Sequence, residues 1–190
     1  AVLAAQPGAA LSGSIADEPG LQALRAVTPC LAGQRWQWDG VDFEVLHPQP
    51  ADVQRAVRSN ARSCVLRITA AQGGAALLVG DIEQAQEQAL LARGAPLAAD
   101  VLLVPHHGSK TSSSAAFIEA VAPRTALVQS GYRNRFGHPA PEVARRYRER
   151  GVVLVASPAC GAAHWSSQEP GRVRCERAER PRYWQHMPRD

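Results

Sequence analysis

From residue 75 onward the chain alternates short, almost wholly apolar runs with segments rich in helix formers. The runs are Ala75-Ala76-Leu77-Leu78-Val79, Val101-Leu102-Leu103-Val104, Thr125-Ala126-Leu127-Val128 and Val152-Val153-Leu154-Val155-Ala156. Each is strand-sized, and such uniform apolarity suits central strands buried on both faces. Between them, Ile82 to Arg93 is rich in Ala, Leu, Gln and Glu and stops at Gly94 and Pro96, which predicts a helix. Thr111-Ser112-Ser113-Ser114 offers N-caps for a second helix through Phe117, Ile118 and Val121, and Pro141 opens a third. Ahead of this alternation the signals are antiparallel. Trp36 and Trp38 alternate, Asp39-Gly40 is a favoured two-residue turn, and Val41, Phe43 and Val45 alternate on the return. Cys64 to Thr69 pairs with Ala75 to Val79 around Gln72-Gly73-Gly74, and Arg172 to Cys175 closes the pattern as a last strand. Residues 1–33 read as a helix-like stretch and a Pro/Gly connector. The sum is an α/β layered domain rather than a bundle or a β-sandwich.

No apolar run approaches the roughly 20 residues that span a bilayer, and the first residues carry no basic n-region, so neither a membrane helix nor a signal peptide is expected here. Charge is uneven: residues 1–130 hold nine Lys and Arg against eleven Asp and Glu, whereas residues 131–190 hold twelve Arg against six acids. Arg favours bidentate phosphate contacts, so the basic third is either a nucleic-acid footprint or simply a solvated surface. Four cysteines (Cys30, Cys64, Cys160, Cys175) occur without a C-x-x-C pair, which argues against a zinc knuckle. Cys64, inside an apolar strand pattern, reads as a small buried hydrophobe.

Three apolar runs end at residues that could do chemistry. Gly80-Asp81 places a carboxylate at the C-terminal edge of a strand, where α/β folds bind ligands, although Asp81 could equally cap the helix that follows. Pro105-His106-His107-Gly108-Ser109 brings two imidazoles, the commonest zinc ligands. On extended backbone they would point apart, so that one binds and the other packs or supports. Asn134-Arg135-Phe136-Gly137-His138-Pro139 adds His138, which Pro139 would hold extended. His47, at the end of a hairpin strand, reads as structural. Asp81, His107, His106 and His138 together form a mixed O/N set that suits zinc or manganese, converging at one rim of the sheet, yet too few for a two-metal centre.

The order and content of Leu78-Val79-Gly80-Asp81-Ile82-Glu83, Val104-Pro105-His106-His107-Gly108-Ser109-Lys110-Thr111-Ser112 and Asn134-Arg135-Phe136-Gly137-His138-Pro139 resemble the metallo-β-lactamase-like domain of the ComEC competence-protein family. The 34–48 hairpin and Arg180-Pro181-Arg182-Tyr183-Trp184 resemble it too, so the likeness covers nearly the whole chain. It implies a four-layer αββα metallo-β-lactamase-like fold, attached to a membrane channel that imports single-stranded DNA in natural transformation. It also implies a divalent metal, zinc or manganese, and a nuclease acting on the non-transported DNA strand on the outer, periplasmic face. By the same likeness Asp81 matches the metal-bridging aspartate, His107 the late histidine ligand and His138 the Gly-His-Pro histidine. Asp81 and His107 are thus the candidate catalytic pair.

The family signature H-x-[DH]-x-D-H is absent, and the chain opens at what resembles the helix after it. The expectation is therefore a single partial domain over 1–190, lacking the first strands. Residues 1–50 form the connector helix and aromatic hairpin, 60–156 the metal-motif α/β part, and 157–190 the C-terminal strands and basic tail. Such a chain would bind metal weakly, show little nuclease activity and expose an apolar sheet face. DNA contacts are expected at Lys110, Arg133, Arg135, Arg145, Arg146 and Arg148, although Arg145 to Arg150 also reads as the solvated face of a helix. Two other functions fit the same residues: a non-catalytic DNA-binding module of the uptake channel, or a hydrolase of this fold acting on another phosphate ester or an acyl substrate.

Overall fold

A computed structural model describes residues 11–13, 27–54 and 58–183 of the 190. Most of the helix-like stretch expected before residue 33, and the tail from Trp184, lie outside the described residues. Two short strands, β1 (Leu11–Gly13) and β2 (Val27–Pro29), pair in parallel where that stretch and its connector were expected.

Among the described residues, seven strands form the main sheet: β3 (Arg35–Trp38), β4 (Val41–His47), β5 (Val65–Ala70), β6 (Ala75–Leu78), β7 (Val101–Leu103), β8 (Thr125–Val128) and β9 (Val153–Ala156). They lie side by side in chain order. Pairing is antiparallel from β3 to β6 and parallel from β6 to β9. After β6 every link between neighbouring strands is a crossover, as parallel pairing requires. The hairpin has the predicted turn: Trp38 faces Val41 across it, and Asp39 and Gly40 both have positive φ (52° and 74°). Trp36 stacks on Phe43 with ring centroids 5.0 Å apart.

The crossovers carry α2 (Gln84–Ala92), α3 (Ala115–Val121) and α4 (Pro141–Arg148), behind a short α1 (Pro50–Gln54). Ser114 caps α3, its side chain accepting the Phe117 N–H at 3.3 Å. Leu90, Phe117, Ile118, Val121, Val143 and Tyr147 from these helices join Leu77, Leu102 and Ala126 of the sheet in one buried cluster. Fully burying each such side chain is worth about 1.5–3 kcal/mol. By strand alternation Leu78 and Val153 belong to the opposite face and remain 37% and 59% exposed.

His47 is structural. It is buried, its Nε2 lies 2.8 Å from the Ala61 carbonyl, and its Nδ1 is 3.7 Å from Asp52 Oδ2. The last predicted strand exists, as β11 (Val173–Cys175), but it does not extend the main sheet. It pairs antiparallel with β10 (Ala163–Trp165) in a separate hairpin, flanked by α5 (Ser157–Cys160) and α6 (Glu176–Glu179). The cysteines differ from expectation as well. Cys64 is not a free buried thiol: disulfides join Cys30 to Cys64 and Cys160 to Cys175. Among the described residues no helix is long and apolar enough to cross a membrane.

Candidate metal centre

Asp81 follows β6 through a turn at Gly80. It does not cap α2. That place belongs to Glu83, whose N–H donates to Gln86 Oε1 at 3.2 Å. The Asp81 backbone is held from the other side, its N–H donating to Ser63 Oγ at 3.1 Å. With no capping duty, its half-exposed carboxylate places Oδ1 3.5 Å from His107 Nε2.

His106 and His107 lie in a tight, kinked turn, Pro105–Gly108, just after β7. The expectation of extended backbone fails here: both have left-handed φ, 46° and 56°. Such angles are costly for residues with a Cβ and persist where surrounding bonds over-determine them. Those bonds are present. The His106 N–H donates to the Gly80 carbonyl (3.0 Å), the Ser109 N–H to the His106 carbonyl (2.9 Å), and Ser112 Oγ to the Pro105 carbonyl (2.8 Å). The two imidazoles therefore diverge to different carboxylates rather than to opposite sides of a strand. His106 Nδ1 lies 3.2 Å from Glu83 Oε1, while His107 faces Asp81. His107 is also oriented from behind, its Nδ1 2.7 Å from the carbonyl of Gln129, the residue just after β8. A carbonyl can only accept, so Nδ1 carries a proton and Nε2 is the nitrogen that faces Asp81.

The loop after β8 brings His138 to the same place. His106 and His138 rings are 6.2 Å apart, and Phe136 stacks on His138 at 5.7 Å. Asn134 clamps this residue, accepting its N–H at 2.9 Å and donating to its carbonyl at 2.7 Å. The His138–Pro139 bond is cis. Burial holds the His138 imidazole below its ordinary pKa, and the neighbouring His106 and His107 add to the shift. A cavity of about 230 Å³ is lined by His107, Gln129, Ser130, Asn134, Phe136 and His138.

Behind the turn, Glu87 of α2 is fully buried and accepts the N–H groups of Ser113 (2.5 Å) and Ser114 (2.8 Å). Glu83, one helical turn earlier, accepts from Thr111 Oγ1 at 3.1 Å. The carboxylates of the α2 cap and of its first turn thus fasten the segment that follows the histidines. Composition gave no hint of Glu87, Ser63 or Gln129. Asn134, four residues before His138, stood in the quoted motif without a role.

The proposed DNA contacts fall into two groups. Arg133 and Arg135 are exposed on the loop beside the cavity, over the rings of Tyr132 (5.2 Å) and Phe136 (4.8 Å). Lys110 is exposed with Glu142 at 3.7 Å. On α4, Arg145 pairs with Glu149 at 3.5 Å, Arg148 is exposed, and Arg146 donates to the carbonyls of Ser112 (3.2 Å) and Ser113 (3.1 Å). Arg146 is therefore committed to holding α4 against the loop.

The Asp81–His107 pair has the dimensions of two metal ligands. Two atoms each about 2.1 Å from a tetrahedral ion stand roughly 3.4 Å apart, close to the 3.5 Å found here. Among the described residues, however, no group of three or more His, Cys, Asp or Glu side chains gathers around one point. The pair fits two corners of a coordination sphere and does not complete it.

No family model matches the chain. Curated proteins do. The chain is 43% identical over 160 residues to Competence protein ComA of Neisseria gonorrhoeae, covering 83% of this chain and 22% of that protein. Recombination protein 2 of Haemophilus influenzae is 38% identical over 119 residues, covering 63% and 14% respectively. ComE operon protein 3 of Bacillus subtilis is 33% identical over 143 residues, covering 73% and 18%. The chain thus spans about a fifth of the length of these relatives. Among solved structures, the metallo-β-lactamase fold protein YhfI of Bacillus subtilis overlaps 82% of this chain and 65% of its own, with a TM-score of 0.44 and 10% identity.

Proposed function

Since the chain is a ComEC-like competence-protein domain, matched by such a protein along 83% of its length, we propose that it is the hydrolytic domain of a DNA-uptake protein, acting on phosphodiesters with a divalent metal. The observation that supports this reading most directly is the Asp81 Oδ1 to His107 Nε2 approach of 3.5 Å, with the Nδ1 of the same histidine occupied by the Gln129 carbonyl. In that arrangement His107 would offer Nε2 to an ion, with Asp81 as the anionic ligand beside it.

Asp81 and His107 would hold the ion, which when bound supplies an activated water and polarises a phosphoryl oxygen. His138, whose pKa burial lowers, lines the same cavity, where it can accept or pass a proton. Arg133 and Arg135 at the rim suit the phosphates of a strand entering the cavity. Two disulfides favour an oxidising surrounding, which suits a domain on the outer side of the membrane.

Because two ligands make a weak site, this chain is expected to bind Mn²⁺ or Zn²⁺ loosely and to cut DNA poorly by itself. Isothermal titration of the chain with each ion tests the assignment. Weak binding abolished in both Asp81→Ala and His107→Ala supports it; binding unchanged in both variants ends it.

A further inference from the structure

A second concave site lies in the C-terminal hairpin and shares no lining residue with the cavity just described. Its cavity, about 220 Å³, is lined by His164, Trp165, Ser166, Glu169, Arg172 and Arg174. The β10–β11 register sets His164 opposite Arg174 on one face of the ladder and Trp165 opposite Val173 on the other, and His164, Trp165 and Arg174 all border the cavity. Arg172 joins them from the loop.

The parts of this hairpin are held in place. The Cys160–Cys175 disulfide ties its two ends, with Cys175 directly following Arg174. The Glu176 N–H donates to the Ala162 carbonyl at 3.0 Å. Ser167 packs so tightly on the β5–β6 turn that a Cβ on Gly74 would meet its Cβ at 2.9 Å. The indole N–H of Trp165 donates to the Pro170 carbonyl at 3.1 Å, which uses the only donor an indole has. What Trp165 has left to offer a ligand is its ring.

The cations are differently placed. Arg172 stands 3.5 Å from Glu169, Arg174 3.8 Å from Glu179, and His164 3.6 Å from Glu176. These are loose ion pairs, longer than charge-assisted hydrogen bonds. The three side chains are 66%, 55% and 50% exposed. A phosphate could take these guanidinium donors with better geometry than the glutamates do. Residues 157–183 hold five arginines against three glutamates, so the local balance also favours an anion.

A flat aromatic surface beside two guanidinium groups is the combination that takes a stacked base and its phosphate. At about 220 Å³ the cavity is below the usual range for a whole cofactor, about 300–1,000 Å³. We propose that this cavity binds one nucleotide unit of a single nucleic-acid strand, with the base against Trp165 and the phosphate at Arg172 and Arg174. The site holds a strand; it does not cut one. It therefore goes beyond the hydrolytic reading and needs neither Asp81 nor His107.

The test is fluorescence anisotropy of the chain with a labelled oligothymidylate of about ten nucleotides, in EDTA, across a salt series. The expected result is salt-dependent binding that weakens about ten-fold or more in Trp165→Leu and stays within about three-fold in Trp165→Phe. The Arg172→Ala/Arg174→Ala variant should bind less tightly, with the salt slope reduced by about 0.7, the contribution of one phosphate on a single strand. Arg124→Ala, an exposed cation elsewhere, should bind like wild type. The arginine pair is exposed, so its removal stays informative if Trp165→Leu does not fold. Wild-type affinity in the arginine variant would overturn the proposal, as would no binding even at low salt. Displacement of the oligonucleotide by inorganic phosphate as readily as by thymidine monophosphate would also overturn it. With metal chelated, failure of the metal centre leaves this result unmoved, and failure here leaves the metal titration unmoved.

Discussion

A Cβ added to Gly108 would lie 2.6 Å from the Cβ of Pro139 and 2.9 Å from its Cα, closer than carbon atoms can stand. The turn that bears His106 and His107 therefore touches the loop that bears His138 through a glycine with nothing to spare. The Ala140 N–H donates to the Gly108 carbonyl at 2.8 Å and closes the same contact.

Gly108 also has φ +83°, so a substitution there meets both a clash and a disfavoured backbone. Gly108→Ala should cost about 2 kcal/mol or more in chemical denaturation, from overpacking together with backbone strain. It should also move the imidazole resonances of His138 in NMR spectra, since Pro139 must give way. Stability within about 0.5 kcal/mol of wild type, with those resonances unmoved, would contradict the contact.

Two buried groups should tilt stability with pH in opposite directions. Burial lowers the pKa of His47 below its ordinary 6.5. Its contribution is therefore present above that value and is lost as pH falls through the lower, folded-state pKa. Burial raises the pKa of Glu87 above the usual 4.5, against the pull of the Ser113 and Ser114 N–H groups. Its contribution is full below the ordinary carboxylate range and is lost as pH rises through the raised value. Thermal melts from pH 4 to pH 8 should show His47→Gln flattening the acid-side loss. Glu87→Gln, which cannot accept two N–H donors on two oxygens, should melt below wild type at every pH, with the gap narrowing as pH rises. A gap that widens with pH would reverse the sign assigned to Glu87.

Reduction should destabilise the chain in two increments. The closed loops have sequence separations of 34 and 15 residues, which on the chain-entropy model correspond to about 4 and about 3 kcal/mol. Denaturant titrations with and without dithiothreitol, on Cys30→Ser/Cys64→Ser and Cys160→Ser/Cys175→Ser, should separate the two. Equal midpoints with and without reductant would show that the thiols are not paired in solution.

The Trp36–Val45 hairpin was legible because everything that makes it is local: an Asp-Gly turn, alternating aromatics, a register set by the turn. Ser114 and Pro141 could likewise be placed at helix starts from their own chemistry. The nearness of Asp81 and His107 could also be read, since each follows an apolar strand and parallel strands end on one layer. What escaped depends on the rest of the fold. Nothing near Asp81 says that Glu83 takes the cap, and nothing in Pro-His-His-Gly says that both histidines turn left-handed, because the Gly80, Ser109 and Ser112 bonds that enforce this come from other segments. Cys30 and Cys64 meet only after β4 and β5 are side by side, so their pairing has no local trace. Arg172 to Cys175 has the composition of a strand, and composition does not say which strand it will pair with.

The chain-order succession from β3 to β9 bears on how the molecule comes together. Among the described residues each strand of the main sheet pairs with its neighbours in the chain, so contacts close over short stretches and the entropy lost at each closure is modest. A ribosome releasing this polypeptide would extend the sheet one ribbon at a time, each new strand docking on the one just finished. The Asp81–His107 pair would then form midway through synthesis, once β7 has settled on β6, well before the hairpin around Trp165 leaves the exit tunnel.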